Sequence, residues 1–391
     1  MHYTRCKEKT KIYFLPTIYL GQILSNNLFL QFLENNYWDI AQRLLIKPEC
    51  YTELFDIMET YHEKDFEKKS NAAAKLQFFM KRKILVTRNL LQENEERIKK
   101  LFDVKLNKQE KVYTSEEILE LSKDCDGILC VGGNKFDAEI FSKISGSVKI
   151  IASYSVGYNN IDIEAATKRG IVVTNTPEVL TDATADVAIL LLLGASRRVY
   201  EARKSAEEQK WVWSTDFLLG KQMSGSNLGI LGMGRIGRAI AARARGFGMK
   251  IHYHNRTKLT ADLEQGAIYH NNIKSLFNKS DFLSINCPAT KDTNKIINEK
   301  TISYLPNGAV VSNTARGDVI DDEAMIKALK NGKIFALGLD VYNGEPKINP
   351  EYLKLENLFL LPHLGSATLK TRIAMGNRSI DNLENFFQNK R

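Results

Sequence analysis

Short apolar runs alternate with helix-like stretches through most of the chain. The runs that we predict as strands are 84–87, 128–131, 149–153, 171–174, 228–231, 250–254, 282–286, 309–313, 336–341 and 358–361. Most of them are continuously apolar, which is typical of parallel strands covered on both faces. Strands that alternate with helices predict α/β units with parallel sheets, one beginning near residue 80 and a second near Asn227.

Two helices are clear in the same pattern. The first covers 177–197, with Thr181 or Asp182 as its predicted N-cap. Its centre, 189–193, is apolar on every side, so we expect this helix to be buried in a core or a subunit interface. The second helix is predicted over 368–387, close to the end of the chain.

Residues 1–79 do not share this alternation, and we interpret them as an unassigned, mostly helical N-terminal extension. Met80 is the alternative start of the protein. The stretch 12–33 carries no charge and is long enough to cross a bilayer. Its proline and its amide side chains, such as Gln22 and Asn26, would be costly in hydrocarbon. We therefore predict a buried or amphipathic helix there, and no membrane partner.

A glycine-rich turn follows the predicted strand 228–231. Its sequence reads G-x-G-x-x-G from Gly232 through Gly234 to Gly237, and a helical pattern follows. In this setting the first glycine allows a tight turn, the second lets the backbone approach a pyrophosphate, and the third allows close helix–sheet packing. The helix N-terminus adds free N–H groups for phosphate. The turn predicts a dinucleotide site.

The next strand, 250–254, ends without the acidic residue that binds the ribose 2′-hydroxyl of NAD. It is followed by Asn255, Arg256 and Thr257, and the first acid is Asp262. Arg256 suits a 2′-phosphate, so we predict that NADP(H) is preferred, with NAD(H) as the alternative cofactor. The competing interpretation is that Arg256 lies over the adenine or in solvent.

Three chemically active residues follow predicted strands of the second unit. Arg316 comes after strand 309–313, and Glu345 and His363 come after the next two strands. Ligands bind at the carboxyl edge of open parallel sheets. There an arginine can hold a carboxylate, an imidazolium can donate a proton, and a glutamate can orient the imidazole and favour its charged form. This set predicts the reduction of 2-oxo acids.

The net charge of +9 leaves open nucleic-acid binding or a site for small anions. Residues 1–79 carry equal numbers of acidic and basic side chains, so the excess belongs to 80–391. With a dinucleotide turn in that part of the chain, we favour small anions and predict no nucleic-acid partner.

The cysteine pattern indicates the redox state of the cellular compartment. The five cysteines form no C-x-x-C pair, which favours a reducing, cytoplasmic location with buried thiols at Cys130 and Cys287. His252 and His254 alternate on one strand, but no third ligand is in view, so no metal site is predicted.

Several of these motifs together resemble the D-2-hydroxyacid dehydrogenase family. The motifs are 155–162, 176–186, 232–237, 313–318, 338–341 and 361–368. The resemblance covers about 82–391 and is closest to the glyoxylate/hydroxypyruvate reductase branch. It implies a catalytic trio of Arg316, Glu345 and His363. It also implies that Val156 and Gly157, with Arg316, bind the substrate carboxylate. The residues that it implies for the cofactor are Gly232, Met233, Gly234, Arg235, Ile236, Gly237, Asn255, Arg256, Thr257, Thr314, Ala315, Asp340, His363 and Gly365.

The resemblance also implies an architecture of two doubly wound, Rossmann-like parallel-sheet domains with a cleft between them. The substrate-binding domain would comprise 80–176 and 366–391, and the NAD(P)-binding domain 177–365. A homodimer would form through the helix over 177–203. The loop 211–219, with Trp211 and Trp213, would approach the neighbour's active site or simply pack in the interface.

The implied activity is the NADPH-dependent reduction of glyoxylate to glycolate and of hydroxypyruvate to D-glycerate. A small pocket at Tyr154 and 131–133 would suit such short substrates. The alternatives are a D-3-phosphoglycerate or other D-2-hydroxyacid dehydrogenase, and a dinucleotide-sensing, corepressor-like binding protein. Arg256 disfavours the phosphoglycerate enzyme, and the pairing of Glu345 with His363 disfavours a formate dehydrogenase.

Overall fold

The computed structural model describes residues 81–109 and 111–388. The predicted N-terminal extension, the uncharged stretch 12–33 and the alternative start at Met80 lie outside these ranges. The described parts of 84–100 and 104–391 belong to one compact unit. Within the described residues, no helix combines the length and the apolar character needed to span a bilayer.

The first sheet has five strands in the order β2-β1-β3-β4-β5. The strands are β1 (Lys83–Val86), β2 (Asp103–Leu106), β3 (Gly127–Cys130), β4 (Ile150–Ser153) and β5 (Val172–Thr174). β3 and β4 are buried at every position, which explains why their residues are almost all apolar. The helices that connect these strands are α1 (Gln92–Leu101), α2 (Ser115–Leu121), α3 (Ala138–Lys143) and α4 (Ile163–Lys168).

The second sheet has seven parallel strands in the order β12-β11-β10-β9-β6-β7-β8. The strands are β6 (Asn227–Leu231), β7 (Lys250–His254), β8 (Ile268–Tyr269), β9 (Phe282–Ile285), β10 (Ala309–Asn313), β11 (Ile334–Leu339) and β12 (Leu358–Leu360). The chain runs outward from β6 to β8 and returns to β9 on the other side of β6. This reversal makes the sheet doubly wound and opens a crevice at the carboxyl ends of β6 and β9. The predicted α/β class with two parallel sheets is confirmed.

The remaining helices cover the second sheet or return to the first. They are α5 (Thr181–Ser196), α6 (Val199–Glu207), α7 (Arg235–Gly246), α8 (Ala261–Glu264), α9 (Ile273–Phe277), α10 (Glu299–Ile302), α11 (Asp322–Lys330) and α12 (Leu369–Gln388). α12 reaches back to the first sheet, where the Tyr154 hydroxyl donates to the Arg372 carbonyl. The Asn94 amide on α1 donates to the Ile373 carbonyl at 3.0 Å. The domain boundaries themselves stay a prediction.

The long apolar helix differs from its prediction at both ends. It begins at Thr181, and its N-cap is Leu180, which makes no side-chain capping bond. The predicted cap at Thr181 or Asp182 is therefore wrong, because both residues lie inside the first turn. The helical segment over 177–203 is also interrupted, because Arg198 adopts a left-handed conformation with φ of 54° between α5 and α6.

Three strands differ from the apolar pattern. β2 was not predicted, because its four residues are only half-buried and carry mixed polarity. β8 is a two-residue edge strand that leaves almost no signal. β11 begins and ends two residues earlier than predicted, so Asp340 stands just beyond the strand and not within it.

Buried thiols are confirmed at both predicted positions. Burial raises the pKa of Cys130 to about 12 and that of Cys287 to about 11. Such thiols stay protonated and react poorly at neutral pH. Both cysteines are therefore parts of the packed core, as is the described Cys125.

His252 and His254 were considered as a metal pair, but in the structure both contact His270. His252 is buried on β7, and its Nδ1 lies 2.9 Å from Nε2 of His270. His254 Nδ1 lies 2.8 Å from the His270 carbonyl oxygen. No group of three or more metal-ligating side chains occurs in the described ranges. Burial lowers the pKa of His252, and the charge of His270 lowers it further. Burial also lowers the pKa of His270, and the charge of His254 acts in the same direction.

We expect this imidazole pair to make folding sensitive to acid. A pKa lowered in the folded state means that the unfolded chain binds protons more readily. The free energy of unfolding should therefore fall as the pH drops below the ordinary histidine value of about 6.5. Urea unfolding at pH 7.5, 6.5 and 5.5 measures this slope. In His270→Gln the slope should be shallower, and equal slopes in the two proteins would contradict the assignment.

Candidate active site

Most of the predicted site residues follow parallel strands of the second sheet, so they lie along its carboxyl edge. The glycine turn follows β6, Asn255 follows β7, Arg316 follows β10, Asp340 follows β11, and His363 follows β12. Val156 and Gly157 follow β4 of the first sheet. Parallel strands bring residues more than a hundred positions apart in sequence to one edge.

The glycine turn is shaped for a dinucleotide. Gly232 has φ of 94°, and a Cβ there would lie 2.6 Å from the Cys287 nitrogen. A Cβ at Gly237 would lie 2.5 Å from the Gly232 oxygen, so α7 can approach the sheet only without a side chain there. A Cβ at Gly234 would meet no described atom within 4 Å. Gly234 is also the N-cap of α7 and makes no side-chain capping bond, so the first N–H groups are available to phosphate.

The end of β7 is tied to this turn by an amide. The Met233 N–H donates to Oδ1 of Asn255 at 2.6 Å. Asn255 thus stabilises the glycine turn, and it stands at the strand end where NAD-binding sheets have an acidic residue for the ribose. Arg256 and Thr257 follow and are exposed, and within the described residues the Arg256 guanidinium has no hydrogen-bond partner. These residues fit a nicotinamide dinucleotide, whose adenosine ribose would lie beside Arg256.

Arg235 opens α7 next to Ile236, in the first turn of the helix. Its Nη2 lies 3.4 Å from the Glu178 carboxylate, and both side chains are more than half exposed. An ion pair so exposed is weak. Arg235 is therefore free to exchange this carboxylate for a phosphate.

Glu345 and His363 are in direct hydrogen-bond contact. His363 Nδ1 lies 2.6 Å from Glu345 Oε2, and the Tyr342 N–H donates to Oε1 at 2.9 Å. Burial alone would raise the pKa of Glu345, but these two hydrogen bonds and the charges of His363 and Arg316 outweigh it and lower that pKa. The glutamate is thus a carboxylate that fixes the imidazole with Nε2 pointing away from it.

The His363 backbone is held by Asp340. His363 has φ of 57°, a left-handed conformation that a non-glycine residue keeps only when its surroundings enforce it. The two N–H groups that follow, of Leu364 and Gly365, donate to the two carboxylate oxygens of Asp340 at 2.6 and 2.7 Å. Burial raises the pKa of Asp340, and these bonds act in the opposite direction. Sequence reasoning missed this positioning role.

Asp340→Asn should destabilise the fold. It places an amide NH2 against a backbone N–H, so one donor loses its acceptor inside a buried site. We expect the free energy of unfolding to fall by about 1–3 kcal/mol, measured by urea unfolding. Asp262→Asn changes the same group on the exposed surface of α8 and should shift stability by less than about 0.5 kcal/mol. Equal stability of Asp340→Asn and the wild-type protein would exclude this role for Asp340.

The turn that carries Arg316 is built by Asn313, the last residue of β10. Its amide accepts from the Ala315 N–H at 2.9 Å and donates to the Arg316 carbonyl at 2.8 Å. The Thr314 hydroxyl donates to the Asn286 amide oxygen at 3.2 Å. Arg316 Nη1 donates to the Ala315 carbonyl at 2.7 Å. The guanidinium is therefore supported by its own turn.

The same guanidinium meets the loop after β4. Arg316 Nε donates to Oδ1 of Asn159 at 2.9 Å. A Cβ at Gly157 would overlap Nη2, so only glycine allows this approach. Burial lowers the pKa of Arg316, while the charges of Glu345 and Asp318 act in the opposite direction. The predicted carboxylate-binding residues are thus brought together, and Asn159 joins them without having been predicted.

The loop after β4 is further fixed by neighbouring amides. The Asn175 amide donates to the Val156 carbonyl at 2.8 Å. Tyr154, which we expected near the substrate, is almost fully buried, and its hydroxyl is used by the Arg372 carbonyl. Its phenol is therefore a structural contact of α12.

The loop with the two tryptophans is exposed in the described chain. Trp211 and Trp213 stack edge to face with centroids 5.3 Å apart, and Trp213 is 94% exposed. Large exposed aromatic groups are typical of interfaces. The approach of this loop to a neighbour's active site stays a prediction.

Comparison with known proteins agrees with this geometry. Residues 189–365 match the family model described as the D-isomer specific 2-hydroxyacid dehydrogenase, NAD binding domain. The glyoxylate reductase of Thermococcus litoralis is 44% identical over 310 residues, which is 78% of this chain and 93% of that protein.

Two solved structures are also similar. One is an NADPH-dependent glyoxylate/hydroxypyruvate reductase from Sinorhizobium meliloti in complex with NADP and malonate. It is 35% identical, with a TM-score of 0.71, and covers 78% of this chain and 94% of its own. The other is a glyoxylate reductase from Paecilomyes thermophila. It is 37% identical, with a TM-score of 0.72, and covers 78% and 95%.

Proposed function

The chain belongs to the D-2-hydroxyacid dehydrogenase family, in its glyoxylate reductase branch, and on that premise we propose that it reduces glyoxylate and hydroxypyruvate with NADPH. The observation that carries the proposal is the 2.6 Å contact between His363 and Glu345 at the sheet edge that also bears Arg316. A proton donor and a carboxylate-binding cation at one edge are what reduction of a 2-oxo acid requires.

The roles of the three side chains follow from their contacts. Arg316 binds the substrate carboxylate through the face it turns to Gly157 and polarises the adjacent carbonyl. Glu345 holds Nδ1 of His363, so the proton leaves from Nε2 to the substrate oxygen. The nicotinamide cofactor, when bound, supplies the hydride. Asp340 keeps the turn of His363 in place by accepting from the two backbone N–H groups that follow it.

The cofactor would lie on the glycine turn, with its pyrophosphate at the N-terminus of α7. Gly232, Gly234 and Gly237 supply the space, and Asn255 holds the turn. The preference for NADPH rests on Arg256, which is exposed and unpaired within the described residues. The relative from Sinorhizobium meliloti, which is described as NADPH-dependent, supports this preference.

We further propose the domain division and a homodimer. The return of α12 to the first sheet supports a substrate domain of 80–176 with 366–391 around a cofactor domain of 177–365. The exposed Trp211 and Trp213 support a dimer in which this loop meets the partner.

A panel of steady-state assays tests the activity. We expect oxidation of NADPH with glyoxylate and hydroxypyruvate, weaker turnover with pyruvate and phosphohydroxypyruvate, and a lower kcat/KM with NADH throughout. Preferred turnover of phosphohydroxypyruvate would favour the phosphoglycerate alternative. If no 2-oxo acid in the panel oxidises either cofactor, the reductase proposal is wrong. That result would favour the alternative of a dinucleotide-sensing binding protein.

A further inference from the structure

The contact between Arg316 and Asn159 joins two loops that belong to different sheets. Asn159 follows β4 of the first sheet, and Arg316 follows β10 of the second. The two residues are 157 positions apart in sequence, and their side chains meet at 2.9 Å. The position of the Arg316 guanidinium is therefore set by both sheets, and Asn159 is the side chain through which the first sheet acts.

The nitrogens of the guanidinium are used unequally. An arginine has five N–H donors on three nitrogens. The Nε–H of Arg316 is taken by Asn159, and one Nη1–H by the Ala315 carbonyl. Nη2 lies against Gly157, where the missing side chain makes room for it. Within the described residues, Nη2 alone has no hydrogen-bond acceptor, so both of its N–H groups can turn to a substrate.

The hydrogen bond to Asn159 determines which nitrogen of the Arg316 guanidinium remains available to the substrate. Without an acceptor at Nε, the guanidinium can rotate about its last side-chain bonds and exchange Nε for Nη2 as the group nearest the substrate. The amide oxygen is also neutral, so it orients the guanidinium without cancelling the positive charge that a substrate carboxylate needs. A carboxylate at the same position would form an ion pair and compete with the substrate.

We propose that Asn159 is a positioning residue that aligns Arg316 for the carboxylate of the 2-oxo acid. The proposal rests on the proposed function and adds to it a residue that does not itself touch the reacting atoms. It assigns Asn159 to substrate affinity and not to cofactor affinity, because among the described residues its side chain is hydrogen-bonded to Arg316 alone. The effect should therefore appear in KM for the 2-oxo acid more than in kcat.

Asn159→Ala tests this assignment. We expect KM for glyoxylate to rise about tenfold, the loss typical of one hydrogen bond to a charged group, with kcat lowered about twofold and the Kd of NADPH unchanged. Asn160→Ala is the matched control, because the Asn160 amide donates at 2.8 Å to the Asn134 carbonyl of a neighbouring loop and not to Arg316. The control should lower Tm and change KM less than about twofold. Equal KM changes in the two variants would overturn the proposal.

A double-mutant cycle separates positioning from a general loop effect. Oxalate, a two-carbon dicarboxylate, serves as the probe and is titrated by calorimetry into the NADPH-loaded protein. Asn159→Ala should weaken oxalate binding about tenfold in the wild-type background and less than about twofold in Arg316→Lys, which has no Nε–H to position. An equal loss in both backgrounds would mean that Asn159 acts through another group.

The same titration keeps the two proposals apart. If the wild-type protein binds oxalate but turns over no 2-oxo acid, the reductase function fails, while the cycle still decides the role of Asn159. If it reduces glyoxylate and Asn159→Ala leaves both KM and oxalate binding unchanged, only the positioning role fails. If the wild-type protein neither reduces a 2-oxo acid nor binds oxalate, both proposals are wrong.

Discussion

Replacing His363 with alanine should lower kcat for glyoxylate by about 10²- to 10⁴-fold and leave the Kd of NADPH nearly unchanged. The variant removes the imidazole whose Nδ1 is held 2.6 Å from Glu345, so no oriented proton donor remains. In the proposed site the cofactor lies on the glycine turn and beside Asn255, which follow β6 and β7 and do not depend on this side chain. Stopped-flow reduction and fluorescence titration with NADPH measure the two quantities.

A second variant tests whether the loss of activity in His363→Ala comes from the missing imidazole or from a changed backbone at this position. His363 has φ of 57°, which alanine adopts poorly, whereas asparagine tolerates the left-handed region. His363→Asn should therefore keep the turn that Asp340 holds and still lose the proton donor, so its kcat should fall as far as in His363→Ala. Loss of NADPH binding in both variants would show that His363 is a structural residue.

The features that the sequence predicted well are those that a single segment determines. The inner strands β3, β4 and β9 are buried at every position, so they are mostly apolar and could be recognised. The glycine turn was predictable because Gly232 needs positive φ and Gly237 has no room for a side chain. The strand ends then located Arg316, Glu345 and His363 at one edge.

The features that were missed depend on contacts between distant segments or on weak local preferences. Nothing in the sequence marks Asn159 as the acceptor for Arg316, because the bond exists only once the two sheets are folded. The hydrogen bonds from the backbone after His363 to Asp340 likewise join the ends of two neighbouring strands, β11 and β12, and form only when the sheet is folded. The break at Arg198 is local, but no glycine or proline signals it.

Replacing Arg256 with aspartate should reverse the preference between the two cofactors. Arg256 is exposed after β7 with no partner in the described chain, so its charge is available to a 2′-phosphate. Removing a charge-assisted pair and adding a repelling carboxylate should lower kcat/KM for NADPH, relative to NADH, by about 100-fold. The new carboxylate can also accept from the ribose 2′-hydroxyl of NADH, as an acid at this strand end does in NAD-binding sheets.

The control for this change must alter the protein's charge equally without touching the site. Lys300→Asp does so, since Lys300 is exposed on α10 and also exchanges one positive for one negative charge. It should leave the ratio of the two kcat/KM values within about twofold of the wild-type ratio, because Lys300 lies between β9 and β10 and not at the end of β7, where Arg256 lies. Salt also screens interactions between exposed charges. A ratio that stays at its wild-type value in Arg256→Asp would mean that this side chain lies over the adenine or in solvent. The preference for NADPH would then have to come from another cation of the cofactor domain.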